Sequence, residues 1–90
     1  MKWVKLSDII INEPFASHAP KIGKLNRIRE YYKEYGYVDK PLTVNRNNIL
    51  LDGYIRYLVL KENNVMYAKV KVVKYIPKKK KGDNYELVVV

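Results

Sequence analysis

The sequence predicts a small α+β domain, a mixed sheet carrying two helices. Three observations predict it. Over residues 24–35 the apolar side chains recur at helical spacing. Short branched apolar runs at 42–44 and 49–51 flank a four-residue polar turn, the pattern of a hairpin. Asp52-Gly53 then breaks the second run, and no further breaker follows until Asn63-Asn64. That last stretch reads as strand, tight turn and helix.

Taken in order, the chain opens with Trp3, Val4 and Leu6 set among Lys2 and Lys5, a strand over 3–6 with an extended piece or turn at 7–11. Asn12-Glu13-Pro14 ends it, because proline lacks an N–H and restricts the residue before it. Residues 15–24 have no periodicity and read as a loop, in which the lone His18 is incidental. In the first helix Leu25, Ile28, Tyr32 and Tyr35 form one apolar stripe, assigned to the core, and Gly36 suits a left-handed C-terminal cap. Leu42, Thr43 and Val44 make a strand. Asn45, Asn47 and Asn48 make the turn, since asparagine tolerates left-handed backbone and bonds its own main chain.

The second helix runs from Gly53 to about Asn63. It is apolar around most of its circumference and is expected to be well buried. Ala68, Val70 and Val72 then alternate with Lys69 and Lys71 in a half-buried strand over 67–76. Residues 77–84 read as an exposed basic loop and 85–90 as a final strand, the two strands forming a long-looped hairpin. Val88-Val89-Val90 is expected at an edge, where it offers a pairing surface to a protein partner or a second copy of the chain.

Ninety residues make a single domain over 1–90, and about 60–70% of the unfolded surface can be buried at this size. With 48% hydrophobic residues the chain is expected to fold. It has no apolar run long enough to span a membrane and no secretory signal pattern. It contains no cysteine and one histidine, which excludes disulfides, thiolate zinc sites, cysteine nucleophiles and histidine clusters. A cytoplasmic protein without membrane association is the expectation. The net charge is +9, and without the run Lys78, Lys79, Lys80 and Lys81 it is still +5. Such a balance suits a nucleotide or nucleic-acid partner, with solubility alone as the plainer reading.

The chemistry concentrates at 49–60. A strand–turn–helix junction leaves the first helical N–H groups unpaired, and the helix dipole adds partial positive charge there. Together these favour an anion, most often phosphate. Arg56 lies one helical turn after Gly53 and reaches back toward the same spot, or pairs with Asp52, Glu62 or a carboxylate elsewhere. Asp52 caps the helix, or binds a metal or accepts a proton. Gly53 supplies backbone freedom and close approach for a phosphate. Tyr57 packs with its hydroxyl bonded. Lys21 and Lys24 add general attraction. The four lysines at 78–81 project as a basic finger able to follow a phosphate backbone, without the dense aromatic–basic alternation along the sequence that base stacking would need.

The order of these pieces resembles the ParB/sulfiredoxin-like superfamily, in its free-standing ParB N-terminal type, also called the ParB-like nuclease domain. The resemblance rests on Lys24-Leu25 opening a helix, Gly36 closing it, Pro41-Leu42-Thr43-Val44, and Leu50-Leu51-Asp52-Gly53 followed by Arg56-Tyr57. It covers about residues 3–74. It implies that the strand–turn–helix junction binds nucleotide phosphates, with CTP, ATP or ADP and Mg²⁺ as candidate ligands. Asp52, Gly53, Arg56 and Tyr57 match the Asp-Gly-His-X-Arg-Tyr pattern of free-standing members. Tyr54 stands where His, Cys or Glu is usual, and Ile55 where a polar residue is common. The sulfiredoxin reaction is therefore unavailable, for want of its cysteine, and no helix-turn-helix domain follows within the 90 residues.

Three functions are weighed. The first is sequence-independent binding of nucleotide or nucleic-acid phosphates through Asp52, Gly53, Tyr54, Arg56, Tyr57, Lys21 and Lys24. The second is a nucleotide-dependent phosphotransferase or nuclease, for which Asp52 and Glu13 are the candidate acids and which the Tyr54-Ile55 substitution disfavours. The third is a non-catalytic adaptor or inhibitor from a phage or mobile element that binds another protein.

Overall fold

Leu42, Val44, Val59 and Val70 are fully buried, and they mark where sheet and helices meet. The computed structural model describes residues 1–13, 15–17, 19–79 and 85–89, the strands at 75–79 and 85–89 by their backbone. The element order is β1 (Lys2–Lys5), α1 (Ile22–Tyr35), β2 (Leu42–Asn45), β3 (Leu50–Asp52), α2 (Tyr54–Glu62), β4 (Tyr67–Val73), β5 (Tyr75–Lys79) and β6 (Tyr85–Val89). Short 3-10 turns at Leu6–Asp8 and Phe15–Ser17 lie between β1 and α1. The architecture is α+β, as expected.

Four strands form a mixed sheet in the order β1-β4-β2-β3. β1 and β4 are antiparallel, with Trp3 opposite Lys69 and Lys5 opposite Tyr67. β2 and β4 are parallel, Leu42 beside Val70. β2 and β3 form the expected hairpin, with a register shift between Thr43 and Val44. Its turn works as the asparagines predict. The Asn45 side-chain oxygen accepts from the N–H groups of Asn47 (2.9 Å) and Ile49 (3.1 Å), and Asn48 takes a φ of +63°. Ile10 extends the hairpin edge, donating to the Asn48 carbonyl at 2.8 Å and accepting from the Leu50 N–H at 2.9 Å.

One face of the sheet is the core, where Val4, Leu42, Val44, Leu50, Ala68 and Val70 meet Tyr57 and Leu60 of α2. α1 packs on α2, where Leu25 and Ile28 close over Val59 with Tyr32, Val38 and Ile55 around them, and Tyr32 also packs against the sheet core. Arg29 and Glu62 join the exposed sides of the helices through two hydrogen bonds of 2.9 and 3.1 Å. Gly36 closes α1 at φ +77° and donates to the Tyr32 carbonyl at 2.7 Å, the cap foreseen for it.

Several expectations need correction. α1 begins at Ile22, so the predicted loop is shorter by the helix's first residues. Tyr35 is not core: it is half exposed, and its ring lies 4.5 Å from that of Tyr31 and 6.1 Å from that of Tyr37. The two neighbouring rings give it an aromatic surface, so the stripe ends one turn early at Tyr32. The half-buried strand divides at Lys74 into β4 and β5. Pro77, Lys78 and Lys79 lie in β5 and not in a loop, opposite Leu87, Glu86 and Tyr85 of β6. β5 and β6 pair as a separate two-stranded sheet. Both of its strands have an outer edge, which is where a strand accommodates proline. Lys80, Lys81 and Val90 fall outside the described residues, as do Pro14 and His18. Among the described residues no helix is long and apolar enough to cross a membrane.

Candidate functional site

The strand–turn–helix junction is built as its sequence suggests. β3 ends at Asp52, Gly53 takes the left-handed conformation at φ +95°, and α2 begins at Tyr54. Gly53 accepts the first helical hydrogen bond, from the Tyr57 N–H at 2.9 Å. Among the described residues no side chain caps the helix. The capping role expected of Asp52 is therefore not taken. Asp52 instead ends a strand, opposite Thr43, with its side chain exposed. The first-turn N–H groups of α2 have no intrahelical acceptor by geometry, and no side chain among the described residues supplies one.

Gly53 has a second constraint. A Cβ at this position would stand 3.0 Å from the Leu42 Cδ2. The absent side chain thus makes room for the hairpin's own core leucine. The close approach read as serving a phosphate is occupied on this side by protein.

Arg56 is held. Its Nε donates to one Asp39 carboxylate oxygen at 2.6 Å and its Nη2 to the other at 3.1 Å, a bidentate pair. The two side chains retain 18% and 30% of their exposure, so the pair is partly desolvated. The Arg56 hydrogen bond holds the Asp39 carboxyl below its ordinary range, and burial opposes it. Arg56 in turn is raised, first by Asp39, with a smaller through-space contribution from Asp52. Of the partners open in sequence, Asp52, Glu62 or a carboxylate elsewhere, the structure selects the last, Asp39, which nothing in the sequence singles out. The pair is 17 residues apart and joins a loop to a helix, so no local spacing announces it.

Tyr54 and Ile55 serve packing. The Tyr54 ring stacks on Phe15 at 5.2 Å and 14°, and its centroid is 6.3 Å from that of Tyr57. Ile55 packs against the Leu25–Ile28–Val59 cluster. Tyr57 is a core residue, and Lys61 sits 6.0 Å above its ring. Glu13 accepts a hydrogen bond from the Ser17 hydroxyl, on the same loop as Phe15. Lys21 is the residue before α1 and Lys24 lies in its first turn, both exposed. Among the described residues no hydrogen bond or ion pair ties either lysine to the start of α2. Nor does any group of three acidic, histidine or cysteine side chains there suit a metal ion.

Beside this junction lies a cleft of about 550 Å³. Asp39 and Lys40 line it together with Tyr32, Tyr37, Trp3 and Tyr67. It is aromatic, and it begins where the Arg56–Asp39 pair ends.

No protein-family profile matches the chain, and no curated protein matches it. Solved structures do. A pNOB8-like ParB N-domain in a C2221 crystal form superposes with a TM-score of 0.68 at 21% identity, over 79% of this chain and 28% of that one. A second structure of the pNOB8-like ParB N-domain gives 0.67 at 20% identity, over 79% and 26%. The chain therefore spans little more than a quarter of those chains. The two helices and the four-stranded mixed sheet are shared at the level of the fold. The chain has the fold of a ParB N-domain.

Proposed function

We propose that the chain binds the phosphates of a nucleotide at the start of α2, as a binding domain and not as an enzyme. The observation that carries the reading is the uncapped first turn of α2 behind a left-handed Gly53, with Arg56 one turn inside it. Such N–H groups and the helix dipole favour phosphate oxygens. The resemblance to nucleotide-binding relatives points to the same turn.

Asp39 and Asp52 both act on Arg56, so the local charge is not positive. A phosphate that arrives with Mg²⁺ meets less repulsion there than a bare one, which favours a Mg²⁺-bound CTP, ATP or ADP. Tyr54 and Ile55 occupy positions where relatives keep reactive groups, and here they pack on Phe15 and the helix cluster. This favours binding over turnover.

Thermal-shift measurements with CTP, ATP and ADP, each with and without Mg²⁺, test the reading. Ligand at 100 times its dissociation constant adds about 2.7 kcal/mol of stability. A shift with one nucleotide that disappears in Arg56→Ala supports the site. Absence of any shift at millimolar nucleotide removes it.

A further inference from the structure

The pairing of β1 with β4 creates a pattern that neither strand shows in sequence. Val4, Ala68 and Val70 point into the core. By strand alternation Trp3 and Lys5 of β1 and Tyr67, Lys69 and Lys71 of β4 point the other way, and all five are exposed. Trp3 retains 67% of its exposure and Tyr67 49%. The register sets Trp3 directly across from Lys69 and Lys5 directly across from Tyr67. Aromatic and cationic side chains therefore alternate along β1 and across the pair, with Lys71 continuing the cationic row of β4, and the positions of Trp3 and Tyr67 are diagonal neighbours, about 7–8 Å apart. None of the five makes an ion pair among the described residues.

We propose that this face is a stacking surface for a single-stranded polynucleotide, with bases on Trp3 and Tyr67 and phosphates on Lys5, Lys69 and Lys71. Unpaired bases and phosphates alternate along such a strand as rings and lysines alternate on the face. Base–aromatic stacking tolerates any sequence, and the lysines supply the electrostatic attraction. A duplex hides its base faces in its own stack and offers the rings nothing. No acid lies among the five positions. Across the sheet the nearest in register is Asp52, beyond Thr43 on the far strand β3, and Asp39, which lines the adjoining cleft, is held by Arg56. That charge complementarity singles out a polyanion. Trp3, Tyr67 and Lys69 also border the 550 Å³ cleft, which leaves room beside the rings for a base. The surface uses none of the residues of the phosphate site at α2, and stands or falls separately from it.

Trp3 is the chain's sole tryptophan, so its fluorescence reports from the face itself. The full chain is titrated at low salt with an oligothymidylate and an oligouridylate of about ten nucleotides, within the usual site size. Parallel titrations use a duplex of equal length, poly-glutamate and anionic lipid vesicles. The expected result is quenching by the single strands alone. Three lysines on phosphates set a slope of log K against log salt near −2, at about 0.7 per phosphate of a single strand. Tyr67→Ala weakens binding about 5- to 150-fold, the loss of one stacked base, and Lys69→Ala makes the slope shallower by about 0.7. Circular dichroism confirms that each variant is folded. The proposal is overturned if neither oligomer quenches Trp3, or if Tyr67→Ala and Lys69→Ala bind as the wild type does. Equal quenching by duplex, poly-glutamate or vesicles also overturns it, and the last two outcomes assign the face to an acidic protein or a membrane.

Discussion

The first turn of α2 and the solvent face of β1–β4 both carry polar and aromatic side chains, and they are used in opposite ways. At α2 nearly every motif residue has a structural partner. Gly53 yields space to Leu42, Tyr54 stacks on Phe15, Ile55 enters the helix cluster, Tyr57 is core and Arg56 holds Asp39. Across β1–β4, Trp3, Lys5, Tyr67, Lys69 and Lys71 are exposed and bind nothing among the described residues. The motif on which the family resemblance rests is thus also a folding device. The face that no motif marks is the one with its side chains uncommitted.

That contrast makes mutation a direct probe, and the largest effect is expected beneath the junction. Leu42 has no exposed surface and lies under Gly53. Leu42→Ala should cost about 2–5 kcal/mol by denaturant titration, the usual range for a buried leucine. A cost below 1 kcal/mol would show that the turn does not depend on the packing beneath it.

The two left-handed glycines divide by their surroundings. Gly36 at φ +77° has open space where a Cβ would go, whereas Gly53 at φ +95° faces Leu42 at 3.0 Å. Gly36→Ala therefore incurs the backbone penalty alone, about 1–2 kcal/mol. Gly53→Ala adds a steric clash and should cost about 3 kcal/mol in all. Equal costs would mean that Leu42 moves aside freely.

The Arg56–Asp39 pair comes next, at about 1 kcal/mol for a partly exposed ion pair. Asp39 is held below its ordinary value of 3.8 by the Arg56 hydrogen bond, so the unfolded state takes up its proton first as pH falls. The stabilisation is complete above that value and is lost as pH drops through the lower folded value. Arg56→Ala should lower stability at neutral pH and flatten this acid-side loss. An unchanged acid limb would show that the pair contributes nothing to it.

The smallest effects belong to the open face. Tyr67→Ala, Lys5→Ala and Lys69→Ala should each stay within about 0.5 kcal/mol of wild type, as surface substitutions do. A loss above 1 kcal/mol for any of them would assign that side chain to the fold and abolish the contrast.

The local elements were legible because their signals are local. The α1 stripe at Leu25 and Ile28, the cap at Gly36, the asparagine turn and the Asp52-Gly53 break each depend on residues within a few positions. The order of these pieces extended that reading to the fold. Tyr35 was misread because helical spacing cannot say where a stripe leaves the core and meets Tyr31 and Tyr37. Pro77, Lys78 and Lys79 read as loop because proline and four lysines outweigh strand propensity, yet β6 pairs with them at 75–79. At the site, Gly53 and Arg56 were found, but Asp39 and Phe15 were not, since their contacts cross from loop to helix. The aromatic–basic face was absent from the sequence for the same reason. It exists only in the register that sets Trp3 against Lys69 and Lys5 against Tyr67.

Under the proposed function the uncapped first turn of α2 receives nucleotide phosphates. The most direct measurement is an amide-resolved NMR titration of the full chain with CTP, ATP and ADP in Mg²⁺. Progressive, saturating shifts are expected at the backbone N–H groups of Tyr54, Ile55 and Arg56, with Asp39 following as Arg56 is drawn away. Amides that stay still at millimolar nucleotide, or shifts confined to β1 and β4, would contradict it.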